Sequence, residues 1–351
     1  MLTLNESMPI SKVTLPICET PLLQNSMDAI ALSVLQADGR NLLPLICHSY
    51  LNIQKGRCDY TVYSHIHDDL WLVQSKAMVQ HQMTLYKGNY QGKMDELLNL
   101  IFTFLSKGYY LTGEINGKYL LTSFEYHLYD TNRPYLIYGY DLEDRVFFAA
   151  GKTKKKYFGT FRLSFDEYLK GIFETKLATF SLTFIKANDE ISNIEPNYGK
   201  LHNGIVDYLH SKNRFDGLFA DCEAAYCIFG MDCYKDFYHK IQYVHEYEQY
   251  IEPLHYQIFL EHHKVIRELM KYLVEQCDMD LSILLKEYSE EICARSEQIY
   301  DMCISYNRQN DPVLLKNILD NIDYIIKHEP MILQQLLDVL KEKVKQLKAK
   351  K

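Results

Sequence analysis

The chain of 351 residues has little of what marks membrane-spanning and secreted proteins. Its longest apolar stretch, residues 97–105, is far too short for a bilayer, which a helix crosses with about 20 apolar residues. The N-terminal sequence MLTLNESMPISKV has no basic region followed by an apolar run, so no signal peptide is expected. These absences predict a cytoplasmic protein that does not enter a membrane.

Motifs for cofactors and disulfides are also missing. The chain has nine cysteines, an odd number, and no two of them form a CxxC motif, which indicates reduced thiols. There is no P-loop and no glycine-rich dinucleotide motif, so we expect neither ATP nor NAD nor another cofactor. The net charge of −8 argues against general nucleic-acid binding, which needs a positively charged surface.

The first part of the chain favours helices packed on an antiparallel sheet. Its 29 tyrosines, against one tryptophan, suit strands with half-buried faces. Ser26 is a good N-cap for an apolar periodic run that Gly39 ends, and residues 95–107 predict a second helix. Asn116-Gly117 predicts a hairpin turn. The remaining predicted elements are strands at 109–115, 118–129, 134–140, 145–150 and 157–164, and a helix at 165–173.

The pattern changes near residue 195, after which helical spacing dominates. Helices are predicted at 204–211, 220–230, 247–277, 281–307 and 312–347. We therefore predict an α+β protein with two domains: an α+β domain over residues 1–195 and a mostly helical domain over 196–351.

Four segments resemble one protein family. They are residues 25–29 (NSMDA) at a helix start, 107–111 (KGYYL), 133–141 (RPYLIYGYD), and Leu254-His255 followed by EHHK at 261–264. Together they make nearly the whole chain similar to the butirosin acyltransferase family, papain-like proteins of nonribosomal peptide and polyketide biosynthesis. The resemblance implies a papain-like domain with an appended helical domain. It also implies transfer of an acyl or aminoacyl group from a carrier-protein thioester to an amine.

The expected catalytic triad is replaced at every position. Ser26 stands where the resemblance implies a nucleophilic cysteine, and Arg133 stands where it implies a histidine. The orienting Asp or Asn is implied near Ala150 or Gly151. A serine hydroxyl without a base stays protonated, and arginine does not deprotonate in proteins. The expectation is therefore a papain-fold relative of amide-forming acyltransferases with a degraded Cys-His-Asp triad.

Two alternatives stay open beside this interpretation, so whether the chain is an enzyme is left undecided. One is a non-catalytic binding or scaffold partner of an assembly line or of an active paralogue. The other is an active amide-forming acyltransferase in which serine replaces the cysteine. The implied partner is an acyl or peptidyl carrier protein with a phosphopantetheine-bound substrate, and a homodimer or heterodimer is compatible with the sequence.

The remaining site candidates surround Ser26 and Arg133. We expect the Ser26 hydroxyl to point toward the N-terminal end of the strand that begins at Arg133. His127 is an alternative base if its loop folds back toward Ser26. Arg133 either binds a carboxylate or phosphate of the substrate, or forms a salt bridge with Asp130 or Glu143. The other candidate substrate-binding residues are Tyr135, Lys154 and Lys155.

The lysines at 152–156 are either a basic patch for an acidic carrier or a solvated turn. The histidines at 65 and 67, in the segment HIHDD, lack a second cluster with matching spacing. Cys222, Cys227 and Cys233 have the wrong spacing for structural zinc, so no metal site is predicted.

Overall fold

The computed structural model divides the chain into two compact units, each built from two separate stretches. The first comprises Met1–Arg40 and Leu70–Asn193, and the second comprises Asn41–Asp69 and Ile194–Lys351. The division after Asn193 is close to the predicted one at residue 195. Residues 41–69, assigned above to the first domain, belong instead to the second unit. The structure describes residues 10–18, 26–39, 44, 51–55, 60–63, 78–154, 158–189, 196–212, 227–247 and 250–349.

The order of elements along the described chain confirms the α+β class. The strands are β1 (Lys12–Thr14), β2 (Asn52–Lys55), β3 (Tyr60–Tyr63), β4 (Met78–Tyr86), β5 (Tyr110–Asn116), β6 (Asn132–Asp141), β7 (Val146–Gly151), β8 (Gly159–Ser164), β9 (Thr179–Ala187) and β10 (Ile228–Phe229). The helices are α1 (Ser26–Ala37), α2 (Met94–Ser106), α3 (Phe165–Phe173), α4 (Tyr198–Leu209), α5 (Met231–Tyr247), α6 (Pro253–Cys277), α7 (Ser282–Glu287), α8 (Ala294–Gln309) and α9 (Pro312–Ala349). A π-helical turn, Tyr288–Cys293, joins α7 to α8.

The first unit contains a seven-stranded antiparallel sheet in the order β4-β9-β5-β6-β7-β8, with β1 also paired to β6. The register of β6 against β7 shifts between Ile137 and Gly139, as at a β-bulge. A side chain at Gly139 would collide with the backbone of Val13, so only glycine lets β1 approach β6 there. The sheet therefore places β6 among three strand neighbours.

Helices cover both faces of this sheet. A buried cluster joins α2 and α3 to alternate residues of the strands, among them Leu111, Ile137 and Phe184. Residues between them in sequence, such as Leu136 and Ala150, are buried and point to the opposite face because side chains alternate along a strand. Helix α1 contacts β6, β7 and β9. Its buried residues belong to this second layer of apolar packing, so α1 is fixed over the central strands.

Two predictions for the first unit need correction. No strand runs over residues 118–129, because the chain there forms a short 3-10 helix (Gly117–Tyr119) and a series of turns. Strand β5 pairs instead with β6, from Leu111 opposite Ile137 to Asn116 opposite Asn132. Strands β4 and β9 were not predicted, since both carry polar residues on a half-exposed face. The predicted helix at 165–173 is confirmed.

The second unit is mostly helical and also contains a three-stranded antiparallel sheet, β10-β2-β3. The end of the helix predicted at 220–230 is wrong, because residues 228–229 form β10 and Gly230 has a left-handed conformation. Residues 220–226 lie outside the described part. The helix predicted at 247–277 begins only at Pro253, a residue suited to a first helical turn. Helix α5 was not predicted. Among the described residues, no helix is long and apolar enough to cross a membrane.

Candidate functional site

Two of the residues predicted for catalysis, Ser26 and Arg133, lie at the start of α1 and at the start of β6. Helix α1 begins at Ser26 and contacts β6, but the Ser26 side chain lies outside the described part of the structure. At the other end of the helix, Asp38 lies near the first residue of β5. Burial, with contributions from Asp38 and Cys18, raises the pKa of Tyr110 to about 12. The predicted direction of the Ser26 hydroxyl stays a prediction.

Arg133 is occupied by an ion pair. Its guanidinium donates to the carboxylate of Glu125, which is buried in the loop between β5 and β6 and also accepts from the Ser123 hydroxyl. Burial alone raises the pKa of a carboxyl, but the hydrogen bonds from Arg133 and Ser123 outweigh it and lower the pKa of Glu125. The salt-bridge alternative is therefore the one observed, with Glu125 as the partner in place of Asp130 or Glu143.

The position at which the resemblance implies an orienting Asp or Asn carries no polar side chain. Ala150 and Gly151 lie in β7, directly opposite Leu136 and Tyr135 of β6, and both are buried. Neither an orienting carboxylate nor an amide is available there. Within the described side chains, the position predicted for the histidine thus holds a paired arginine, and the position predicted for the orienting residue is small and not charged.

The other predicted site residues separate into exposed and buried positions. His127 is exposed, adopts a positive φ of 60°, and donates its backbone N–H to the carbonyl of Lys118. Tyr135 is buried in the core, where its hydroxyl contacts that of Tyr168 at 3.0 Å. Lys154 is exposed on the same side as the β5–β6 loop, since its N–H donates to the carbonyl of Thr122. Lys155 lies outside the described residues.

A second cluster, which the sequence interpretation missed, lies inside the second unit. Glu329 of α9 is completely buried and accepts hydrogen bonds of 2.7 Å from Tyr208 at Oε2 and Tyr288 at Oε1. Its Oε2 lies 3.5 Å from Nε2 of His263. Burial disfavours the carboxylate, yet the neighbouring His263 and the donors keep the pKa of Glu329 below its ordinary value. The cluster thus holds a carboxylate in the interior.

The donor and the acceptor can be assigned in each hydrogen bond around His262 and His263. Nε2 of His262 lies 3.2 Å from the carbonyl of Leu51, which can only accept, so this nitrogen carries the proton. Burial lowers the pKa of His262 to about 4, so its ring is neutral at pH 7 and its Nδ1 accepts from Tyr234 at 3.2 Å. The oxygen of Tyr234 then accepts from Nε2 of His263 at 2.8 Å.

Backbone irregularities occur beside this cluster. Tyr288 opens the π-helical turn, and Pro330, directly after Glu329, lies inside α9 and removes a helical N–H. Such π-helical turns are frequent at functional sites. Only the adjacent histidines within the apolar periodicity of α6 hinted at the cluster, because its carboxylate comes 66 residues later in the chain (329 − 263).

The chemistry available to the cluster is that of an enclosed proton network. His263 and Ser296 line a small cavity of aromatic and aliphatic side chains, with space for about one water molecule. Nδ1 of His263 has no hydrogen-bond partner among the described residues. Burial raises the pKa of the Tyr208, Tyr234 and Tyr288 hydroxyls well above 10, so they act as donors and not as bases. The network links Leu51 to helices α4, α5, α6 and α9.

Three of the described cysteines are buried with protonated thiols, and the described residues offer no metal site. Cys233, Cys293 and Cys303 are buried, and burial raises the pKa of the Cys293 thiol to about 12 and those of the other two further. No group of three or more His, Cys, Asp or Glu side chains in the described part is placed to hold a metal ion. The segment HIHDD and Cys222 lie outside that part.

The chain was also compared with known proteins. No family model matches it, and no curated protein shows significant similarity to it.

Proposed function

We propose that this chain is a papain-like protein of natural-product biosynthesis that binds a carrier protein bearing an acyl or aminoacyl thioester and does not transfer the acyl group. The proposal rests on the four sequence segments given above and on one structural observation. This observation is the ion pair between Arg133, at the implied histidine position, and the buried Glu125.

The arrangement of the first unit is compatible with the proposed ancestry. A helix that begins at Ser26 lies over an antiparallel sheet whose central strand starts at Asn132. Helix α1 has 12 residues and is about 18 Å long, so its first residue lies well away from the Asp38 end, which neighbours the start of β5. Because β5 and β6 are antiparallel, the start of β6 lies at the far end of β5. The expected proximity of Ser26 to Arg133 requires in addition that α1 runs along β5.

The loss of catalysis follows from proton chemistry. Acyl transfer by a serine requires a base that removes its proton as the carbonyl is attacked. Arg133 cannot act as this base, and Glu125 is engaged by two donors that lower its pKa and hence its basicity. A carrier thioester is therefore expected to be bound and released intact.

The test uses the full chain with an aminoacyl-phosphopantetheine carrier protein. Intact-mass spectrometry measures acyl adducts, and fluorescence anisotropy measures carrier binding. We expect binding without an adduct on the wild type. The Ser26→Ala variant is the matched control, because it removes only the hydroxyl and should bind equally.

Three results contradict the proposal. An adduct on the wild type that disappears in Ser26→Ala identifies a working serine nucleophile. Rapid amide formation by Ser26→Cys with an added amine means that a base is present and that the chain descends directly from an active enzyme. Lack of carrier binding removes the proposed partner.

A further inference from the structure

The loop between β5 and β6, residues 117–131, carries an unusual group of exposed apolar side chains. Leu121, Phe124, Leu128 and Tyr129 are exposed by 61%, 54%, 67% and 56%. Four large exposed apolar residues within nine positions are a local concentration, whereas single exposed apolar residues are common and need no explanation. We call this segment the apolar loop. Its apolar side chains are candidates for contact with another molecule.

Internal bonds order the apolar loop. The Arg133 ion pair with Glu125 anchors its centre from beneath, and Ser123 donates to the same carboxylate. A Cβ at Gly117 would lie 2.9 Å from the Ser123 hydroxyl oxygen, so the chain packs tightly around this anchor. Backbone bonds from Leu128 to Glu125 and from Gly117 to Thr131, at 2.9 and 2.8 Å, close the turns. Binding through such a loop loses little conformational entropy.

Lysines flank the apolar loop. The Lys154 ammonium lies 5.5 Å from the ring centre of Tyr126, and that of Lys170 lies 5.2 Å from the ring centre of Tyr119. Both lysines are exposed. Their positions over rings of the loop hold positive charge at its border.

The nearby carboxylates are already engaged. Asp130 lies 3.7 Å from the Lys118 ammonium, Glu167 accepts the backbone N–H groups of Leu121 and Ser164, and Glu125 is neutralised by Arg133. With Asp130 and Glu125 each paired to a cation, the one negative charge of Glu167 stands against the two positive charges of Lys154 and Lys170. The loop border is therefore net positive on a chain whose net charge is −8. A second copy of so acidic a chain is a poor match for this border, whereas an acidic partner fits it.

We propose that the apolar loop is the docking surface for an acidic protein that presents apolar side chains among its carboxylates. This inference rests on the proposed function in one respect, namely that the acidic partner is the carrier protein. The apolar side chains supply the buried contact, and Lys154 and Lys170 attract the carboxylates around it.

The test measures binding of an acidic aminoacyl carrier protein by fluorescence anisotropy. Leu121→Ser with Leu128→Ser should weaken binding about tenfold or more, since central apolar contacts carry most of an interface's affinity. Ile283→Ser with Val313→Ser is the matched control, because these residues of the second unit are also large, apolar and exposed, by 83% and 63%. Both variants should keep the wild-type melting temperature.

A second pair of variants tests the charges. Lys154→Glu with Lys170→Glu should weaken binding and reduce its dependence on ionic strength. Lys271→Glu with Lys341→Glu changes the net charge equally at exposed positions of the second unit and should bind nearly as the wild type.

The outcomes separate the two proposals. Equal carrier binding by the wild type and the apolar-loop variants overturns the docking surface and leaves the proposed function standing. Acyl transfer by the wild type, combined with weak binding by the loop variants, overturns the non-catalytic function and leaves the docking surface standing. Absence of carrier binding overturns both. Concentration-dependent dimers that Leu121→Ser with Leu128→Ser abolishes identify a second copy as the occupant and contradict the proposal.

Discussion

Acidification should destabilise the second unit through His262. The imidazole is completely buried, it faces Tyr208, Tyr234, His263 and Glu329, and burial lowers its pKa from 6.5 to about 4. Below about pH 6.5 the imidazole is therefore protonated in the unfolded chain, whereas in the folded chain it stays neutral down to about pH 4. Stability is lost as the pH falls through this window.

The magnitude follows from the two pKa values. Lowering the pH from about 7.5 to 5 should reduce the free energy of unfolding by about 2 kcal/mol through His262. The full effect, reached below the folded-state pKa, is about 3 kcal/mol. Glu329 acts in a different window. Its pKa is lowered, so its contribution is lost only as the pH falls below about 4.5.

Hydrogen–deuterium exchange of α6 peptides, corrected for the intrinsic exchange rate at each pH, measures the loss of stability around His262. We expect protection of the α6 backbone to fall about 30-fold more in the wild type than in His262→Gln between the two pH values. His239→Gln is the control, because this ring is exposed on α5 and its replacement should preserve the wild-type slope. Equal slopes for wild type and His262→Gln would refute the argument.

Three further substitutions test individual contacts through urea unfolding and melting temperature. Arg133→Met should lower the free energy of unfolding by about 2–3 kcal/mol, because it leaves the buried Glu125 carboxylate with fewer donors. Adding Glu125→Gln to this variant should restore part of the lost stability. If the effects of the two substitutions simply add, the ion pair does not stabilise the fold. Gly230→Ala should lower the free energy of unfolding by about 3 kcal/mol, since this glycine has a φ of +55° and a Cβ would clash with a backbone carbonyl of α4. Gly108 also has a positive φ but has open space around it, so Gly108→Ala should lower the free energy of unfolding by only about 1 kcal/mol. Ser164→Ala removes the capping box of α3 and should cost about 1 kcal/mol; an unchanged melting temperature contradicts the capping role.

Local signals predicted the helices of the first unit well. The helix at Phe165–Phe173 has a reciprocal cap between Ser164 and Glu167, and such a cap is encoded by residues three apart. The start of α1 at Ser26 is likewise local. Interactions of this range are visible in the sequence because they join near neighbours.

The error after β5 shows where local signals fail. Asn116-Gly117 favours a two-residue hairpin, but such a turn needs positive φ at both positions, and Asn116 has a φ of −70°. The Asn116 side chain instead accepts the N–H of Lys118 and begins a 3-10 turn. The buried bond of Arg133 to Glu125 stabilises the longer excursion of the chain, and this tertiary contact has no signature in the spacing of residues.

The polar cluster of the second unit was out of reach for a similar reason. His262 and His263 fit the apolar face of α6 and resembled a family segment, but their partners Tyr208 and Glu329 come from distant helices. No spacing rule connects these positions. Burial with a charged partner becomes visible only when the helices are assembled.

The division of the chain has a consequence for its synthesis on the ribosome. The second unit takes one stretch from residues 41–69 and the other from residues after 193, and the first unit is complete once Asn193 has been made. Strands β2 and β3 of the earlier stretch can pair with each other at once, but the partners of this stretch that follow Asn193 are not yet made when the first unit is complete. The carbonyl of Leu51 receives its proton donor only when His262 emerges, and the carboxylate of Glu329 joins the network still later. Nascent chains that stop before this point carry a segment in need of protection, which makes the interval a natural point of chaperone engagement.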